Sequence, residues 1–221
     1  MTIDSIPHIL LTIVPIMLAI ILHEVSHGFV ALALGDTTAR DQGRLTLNPI
    51  AHVDRMGTIV IPGILLIMQW GSAHPFLFGW AKPVSVSAWK FANPRRGMAL
   101  VAIAGPAMNF LLFWLAAMAI RALLEADVSV WMASVLFYFM MVNIVLGLFN
   151  LLPIPPLDGG RIVVGLLPEH LARSWAGLER YGLLIVLAFV LVLPQVFGIN
   201  PIGDILEVVV PKAFWLVGLP S

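Results

Sequence analysis

The stretch His23-Glu24-Val25-Ser26-His27 decides how this chain folds, because it lies within residues 9–34, which are otherwise almost entirely apolar. An ionisable side chain at membrane depth costs about 3 kcal/mol unless it is paired or binds a ligand. His23 and His27 are four residues apart, so on a helix they face the same way, one turn above the other. That spacing suits two nitrogen ligands of one divalent ion, and Glu24 is placed to act on a water molecule there.

A simpler interpretation is that the two histidines are buried and hydrogen-bonded to neighbouring groups. The apolar surroundings disfavour this, since polar residues inside a membrane span usually mark functional sites. The pattern is the H-E-x-x-H motif of zinc hydrolases, placed in a segment that would cross a membrane.

The composition indicates a membrane protein. Hydrophobic residues make up 60% and charged residues 11% of the chain, with a mean hydropathy of +1.00, whereas about 25% of residues are charged in a typical soluble domain. Twelve basic and twelve acidic residues balance, which argues against a nucleic-acid partner. There is no cysteine to form disulfides or ligate a metal. We expect one domain, residues 1–221, in an all-α polytopic fold.

The membrane segments follow from the apolar runs. Full spans are predicted at residues 7–34, 97–120, 131–152 and 181–197. Asp4 and the lack of Lys or Arg before the first run argue against a cleavable signal peptide. Residues 57–70 are too short for a comfortable span and contain Pro62-Gly63, so a re-entrant or buried segment is predicted. With residues 201–221 unassigned, the chain has about four to six membrane segments.

Two short polar stretches alternate in the manner of β-strands. They are Arg44–Leu47 and Pro83–Ser87, on either side of the short apolar segment. They predict a small β-sheet at the membrane surface, whose edge would accept an extended peptide. An ordinary surface loop is the alternative for both stretches.

Basic residues predict the orientation. The connections 36–56, 71–97 and 153–180 hold ten Lys or Arg residues, whereas 121–130 holds only Arg121. The positive-inside rule therefore makes the first three connections cytoplasmic. The C-terminal end of the first span, with His23 and His27, then lies at a depth similar to that of Asp158, which follows the third full span.

A catalytic zinc needs a third protein ligand, and Asp158 is the best candidate. It lies at the edge of the bilayer, on what we expect to be an extended loop framed by Pro and Gly residues, although it could also be a structural turn carboxylate. The other candidates are on the wrong side, far along the first helix, or in polar segments where they are expected to be solvated: His8, His52, His74, Glu125, Asp127, Glu169 and His170.

Together, three motifs resemble the site-2 protease family of intramembrane zinc metalloproteases. In order and spacing they match that family: His23-Glu24-x-x-His27, Gly105-Pro106-x-x-Asn109 and Asn150-x-x-Pro153-x-Pro155-x-x-Asp158-Gly159. The resemblance covers residues 18–162, and the loop sequences are similar to the small prokaryotic branch that lacks a PDZ module. Many members have Gly where this chain has Ser26, a small residue that faces away from the two histidines.

The resemblance implies the chemistry. One zinc ion per chain would be bound by His23, His27 and Asp158, and Glu24 would activate the water molecule. Asn150 would hold the substrate or the oxyanion, while no role is assigned to Asn109. The substrate would be a membrane-spanning protein segment that is unwound near the site. The protein itself would be a multi-pass protein of the prokaryotic cell membrane, with its active site nearer the cytoplasmic side.

Two other functions use the same residues. A metal-ion transporter would bind its ion with His23, His27 and Asp158 but would not need a general base at Glu24. An inactive, peptidase-like protein would bind membrane helices without cutting them, and such a protein would be free to lose Glu24.

Overall fold

Helices make up most of the chain in the computed structural model, which describes residues 5–68, 79–125 and 130–219. The α-helices are α1 Ser5–Ala33, α2 Thr38–Asp41, α3 Ile61–Met68, α4 Pro94–Glu125, α5 Val130–Leu151, α6 Asp158–Leu166, α7 Glu169–Ala176, α8 Gly182–Leu187, α9 Leu193–Phe197 and α10 Pro201–Leu216. Short 3-10 or π-helical turns occur at Pro49–His52, Arg55–Val60, Ala88–Lys90, Gly177–Tyr181 and Ala188–Val192.

Four helical stretches are long and apolar enough to span a membrane. They are Ile13–Ala33, Pro94–Leu123, Trp131–Leu151 and Glu169–Phe197. The four predicted spans are therefore confirmed, and the protein is a multi-pass membrane protein. The fourth stretch begins twelve residues earlier than the predicted 181–197, since α7, α8 and α9 follow one another through short turns.

The ends of the first two spanning helices follow from local sequence. Gly35 adopts φ +99°, and its N–H donates to the Leu32 carbonyl while the N–H of Asp36 donates to that of Ala31. This is the glycine-terminated Schellman ending, which satisfies the last carbonyls of α1. At the start of α4, the Asn93 side chain accepts from the N–H of Arg96 and Pro94 occupies the first helical position.

The predicted small β-sheet is wrong for the part of the chain that the structure describes. Residues 45 and 46 form a bend between irregular residues 44 and 47, and residues 79–87 are also irregular. The backbone groups of the second stretch are bonded to side chains. The N–H of Val84 donates to Glu24, that of Ser87 donates to Asp36, and the Arg44 guanidinium donates to the carbonyls of Lys82 and Pro83. A strand pairing would need these same groups.

Asp36 fastens segment 79–90 to the end of α1. The side chain is 0% exposed, and its carboxylate accepts from the N–H groups of Thr38 and Ser87 at 2.9 and 2.6 Å and pairs with Lys90 at 3.0 Å. Burial raises the pKa of Asp36, but these donors together outweigh it and lower the pKa to about 2. The carboxylate is therefore ionised at neutral pH, and segment 79–90 is held beside α1.

The short apolar segment is helical between Arg55 and Met68, and residues 69–78, which include Trp70 and His74, lie outside the described residues. Most of its side chains are exposed among the residues that the structure describes: Ile59, Ile67 and Met68 are 59%, 73% and 77% exposed. The alternative of a segment buried within the protein therefore does not hold here. This exposed apolar surface suits contact with lipid.

The main hydrophobic core lies between α4, α5 and α10. It is built from the buried residues Phe113, Ala116, Ala117, Ile120, Met140, Ile144, Phe214 and Val217. Helix α10, which could not be assigned from sequence, thus packs on the C-terminal half of α4 and the middle of α5. The opposite half of α4 packs against α1 and α6, and this is where the motif residues meet.

Candidate metal centre

His23 and His27 lie one turn apart on α1 and both are buried, with exposures of 5% and 8%. Their Nε2 atoms are 3.1 Å apart, and the two rings meet edge to face at 4.7 Å between centroids. The i, i+4 spacing on a helix therefore brings two imidazole nitrogens to one point, as the sequence predicts.

Asp158 completes the cluster. Its Oδ2 atom lies 3.1 Å from Nε2 of His23 and 3.2 Å from Nε2 of His27. The prolines end α5 at Leu151, as expected. The prediction that Asp158 lies on an extended loop is wrong, because Asp158 is the first residue of α6.

The outer nitrogen of each imidazole is bonded to α4. Nδ1 of His23 lies 2.6 Å from the Asn109 side-chain oxygen, and Nδ1 of His27 lies 2.7 Å from the Val101 carbonyl. Both oxygens accept, so both Nδ1 atoms carry the proton and donate. In the neutral imidazole this leaves an unprotonated Nε2, whose lone pair is directed at the centre of the cluster.

The three inner atoms fit a metal ion. Two nitrogen lone pairs and one carboxylate oxygen face one another, and Oδ2 of Asp158 is buried without a hydrogen-bond partner. Acceptors packed this closely repel one another unless a cation lies between them. Ligands 2.0–2.1 Å from a tetrahedral zinc ion would be about 3.3 Å apart, close to the 3.1–3.2 Å separations here.

Gly105 of α4 makes room for the two imidazoles. A Cβ atom at this position would lie 2.5 Å from both Cε1 of His23 and Nε2 of His27, closer than real Cβ contacts allow. Three features of one helix, the Val101 carbonyl, Gly105 and Asn109, therefore contact the histidine pair without supplying a ligand.

Glu24 and Asn150 both border the same cavity as the metal-ligand candidates. The cavity has a volume of about 430 Å³ and is also lined by segment 79–86 and by α8. Glu24 is half-buried, and its Oε2 atom accepts from the N–H of Val84 at 2.9 Å. Asn150 donates through Nδ2 to the carbonyl of Leu146 in its own helix at 3.0 Å.

The structure does not bring His8, His52, Glu169 or His170 into this cluster. His52 is buried, not solvated as expected, and donates from Nε2 to the carbonyl of Thr46. His170 and Glu169 are exposed on α7. His8 lies fifteen residues before His23 on α1, or about 22 Å along the helix axis. His74 and Asp127 lie outside the described residues.

Comparison with known proteins identifies the family. A family model described as "Peptidase family M50" matches residues 118–193, which include Asp158. The chain is 38% identical over 206 residues to "Putative zinc metalloprotease YwhC" of Bacillus subtilis, covering 90% of this chain and 83% of that protein. The chain belongs to peptidase family M50.

Two further relatives agree with this family assignment. "Putative zinc metalloprotease Rip2" of Mycolicibacterium smegmatis is 33% identical over 177 residues, and its namesake in Mycobacterium tuberculosis is 32% identical over 177 residues. Each alignment covers 79% of this M50 chain but only 64% of the mycobacterial protein. No solved structure matches the chain.

Sequence reasoning missed two contributors to the site of this M50 chain. The Val101 carbonyl carries no sequence signal, because it belongs to an apolar residue in a helix. Asn143 is fully buried and accepts from Asn109 at 2.9 Å. A signal for Asn143 did exist, since an amide in the middle of an apolar span is expected to be functional or paired.

We expect Gly105→Ala to abolish metal binding by this M50 peptidase, since the added methyl group must displace at least one imidazole. Metal content of the purified protein, measured by mass spectrometry, should fall well below one zinc per chain. Gly63→Ala is the matched control, because among the described residues no neighbouring group lies within 4 Å of the added Cβ there and φ is ordinary. Equal zinc content in the two variants would show that Gly105 does not set the space for the histidines.

Proposed function

We propose that this protein is a zinc-dependent intramembrane endopeptidase that hydrolyses peptide bonds within or near transmembrane segments of other proteins. One observation carries the proposal. Two imidazole nitrogens and one carboxylate oxygen lie within 3.2 Å of one another at one end of a helix long enough to span a membrane, with Glu24 beside them. Membership of family M50 and the zinc metalloprotease names of the relatives support it.

His23, His27 and Asp158 would hold the metal ion, one per chain. When bound, zinc would lower the pKa of a water molecule towards about 7 and polarise the scissile carbonyl. With only three protein ligands, the site would leave room for a water molecule, as catalytic zinc sites require. The two oxygens of α4 that accept from the Nδ1 atoms would keep the imidazoles oriented as substrates bind and leave.

Glu24 would act as the general base and then as the general acid. Its carboxylate would take a proton from the attacking water and deliver it to the leaving amine as the carbon–nitrogen bond breaks. The N–H of Val84 engages only Oε2 with a 2.9 Å bond and so fixes the orientation of the carboxylate. A carboxylate has further lone pairs with which to accept a proton.

Asn150 would stabilise the oxyanion or hold the substrate. One N–H of its amide is used by the carbonyl of Leu146, and the second N–H remains for a ligand in the cavity that Asn150 lines. A donor aimed at developing negative charge lowers the barrier most when water is excluded, which suits a site within a bilayer.

We include all of residues 1–221 in one functional unit. The candidate site draws on α1, α4, α5 and the start of α6, so residues far apart in the chain form it together. The rival transporter would use the same three metal ligands, but it would not need a general base at Glu24. A protein that binds helices without cutting them would need neither the zinc nor this carboxylate.

We expect Glu24→Gln to retain zinc but to reduce proteolysis by about 10²- to 10⁴-fold, because the amide cannot take the proton. Its oxygen can still accept from Val84, so the fold should be unchanged. The assay incubates purified protein with a library of single-span membrane proteins, with and without a chelator, and His23→Ala is the metal-free comparison. Full activity of Glu24→Gln, or cleavage insensitive to the chelator, would contradict the mechanism.

We place the active site on the cytoplasmic side of the cell membrane. The support comes from charge: the connections at the inner end of α1 are rich in Lys and Arg, whereas 121–130 holds only Arg121. Gln42 follows the C-terminal end of α1, which carries His23 and His27. Ala122 lies near the C-terminal end of α4, so the two positions report on opposite faces of the membrane.

Because the chain has no cysteine, Gln42→Cys and Ala122→Cys each provide a single label site, and both positions are exposed. We expect a membrane-impermeant maleimide to label Ala122→Cys in intact spheroplasts, and to label Gln42→Cys only after lysis. The opposite pattern would place the metal centre on the outer side of the membrane.

A further inference from the structure

A chain of buried amides connects the third span to the metal centre. Nδ2 of Asn143 donates to the carbonyl of Phe139 at 2.8 Å, and Oδ1 of Asn143 accepts from Nδ2 of Asn109 at 2.9 Å. Oδ1 of Asn109 in turn accepts from Nδ1 of His23 at 2.6 Å. Asn143 and Asn109 are both 0% exposed, so no solvent competes for these bonds. The chain of bonds runs from α5 through α4 to α1.

The carbonyl of Phe139 fixes the direction of every hydrogen bond in this series. A backbone carbonyl only accepts, so the NH₂ group of Asn143 must face Phe139 and its oxygen must face Asn109. Asn109 must then present its NH₂ group to Asn143 and its oxygen to His23. That oxygen also only accepts, so the proton of His23 is held on Nδ1 and Nε2 is left bare.

We infer that Asn143 is a positioning residue for the metal, which acts through Asn109 to hold His23 in the tautomer that can ligate. The inference rests on the proposed metal site. Without Asn143, the Asn109 amide is free to turn over and offer its NH₂ group to Nδ1. His23 would then accept at Nδ1, carry its proton on Nε2, and present a proton where the metal needs a lone pair.

A purely structural role is the alternative, since paired asparagines also hold membrane helices together. The two roles differ in what they affect. A role in helix pairing would affect thermal stability alone, whereas control of the His23 tautomer would affect zinc affinity even when the fold is stable. They differ also in their dependence on Asn109: a carboxylate at position 109 can only accept from His23, so it needs no partner to set its direction.

The test measures zinc affinity of metal-free protein in detergent, by competition with a chromophoric zinc chelator, and thermal stability in parallel. We expect Asn143→Leu to weaken zinc binding about 10-fold, in the range seen when outer partners of a ligating histidine are lost. Asn143→Asp should stay within about 3-fold of wild type, because it keeps an acceptor towards Asn109 and, when protonated, a donor towards Phe139. In an Asn109→Asp background, Asn143→Leu should change zinc affinity by less than about 3-fold.

Met140→Ala is the matched control. Met140 lies on α5 one turn before Asn143, is 0% exposed and packs in the hydrophobic core, so its loss should lower thermal stability but leave zinc affinity unchanged. If Asn143→Leu does not yield folded protein, Asn143→Ala removes the amide without adding bulk and takes its place in each comparison.

The inference is overturned if Asn143→Leu binds zinc as tightly as wild type, or if its loss of affinity is as large in the Asn109→Asp background. A loss of affinity in Met140→Ala equal to that in Asn143→Leu would also overturn it, in favour of general destabilisation. These outcomes differ from failure of the proposed function. In that case, wild type itself would not bind zinc, or His23→Ala would bind it with unchanged affinity.

Discussion

Two imidazole nitrogens and a carboxylate oxygen within 3.2 Å of one another, inside an apolar helical protein, are the interaction on which the rest of the structure depends. Such a cluster of acceptors repels itself, and the surrounding apolar side chains offer no compensation. A bound cation removes both costs at once. The cluster of acceptor atoms is therefore unfavourable without a metal ion, and for the same reason it favours binding one.

Helix α4 is the main support of this cluster, although it supplies no ligand. Gly105 allows the imidazoles to approach, and the Val101 carbonyl and Asn109 set the positions of their protons. Segment 79–90 supports the other side, since Asp36 binds Ser87 and Glu24 binds Val84. Both carboxylates belong to α1 or its end, so the helix that carries the histidines also positions the segment that borders the cavity.

Much of this arrangement could be predicted from sequence, because it rests on local rules. The spacing of His23 and His27, the apolar spans and the Gly35 ending each depend on nearby residues. The small β-sheet failed because alternation in residues 83–87 cannot reveal that Glu24 and Asp36 bind the backbone groups a neighbouring strand would use. The partner of Asn143 could not be predicted for a similar reason, since Asn109 lies 34 residues away on another helix. Contacts between distant segments are set by packing, which no pattern in a single segment records.

The most direct test of this account is X-ray absorption spectroscopy at the zinc edge, on the protein purified with its metal and without substrate. The account predicts a four-coordinate zinc with two imidazole nitrogens at about 2.0–2.1 Å and oxygen ligands at about 2.0–2.2 Å, supplied by Asp158 and water. A spectrum with fewer than two imidazoles, or with six oxygen-rich ligands, would contradict it, because His23, His27 and Asp158 could not then be the site that binds the metal.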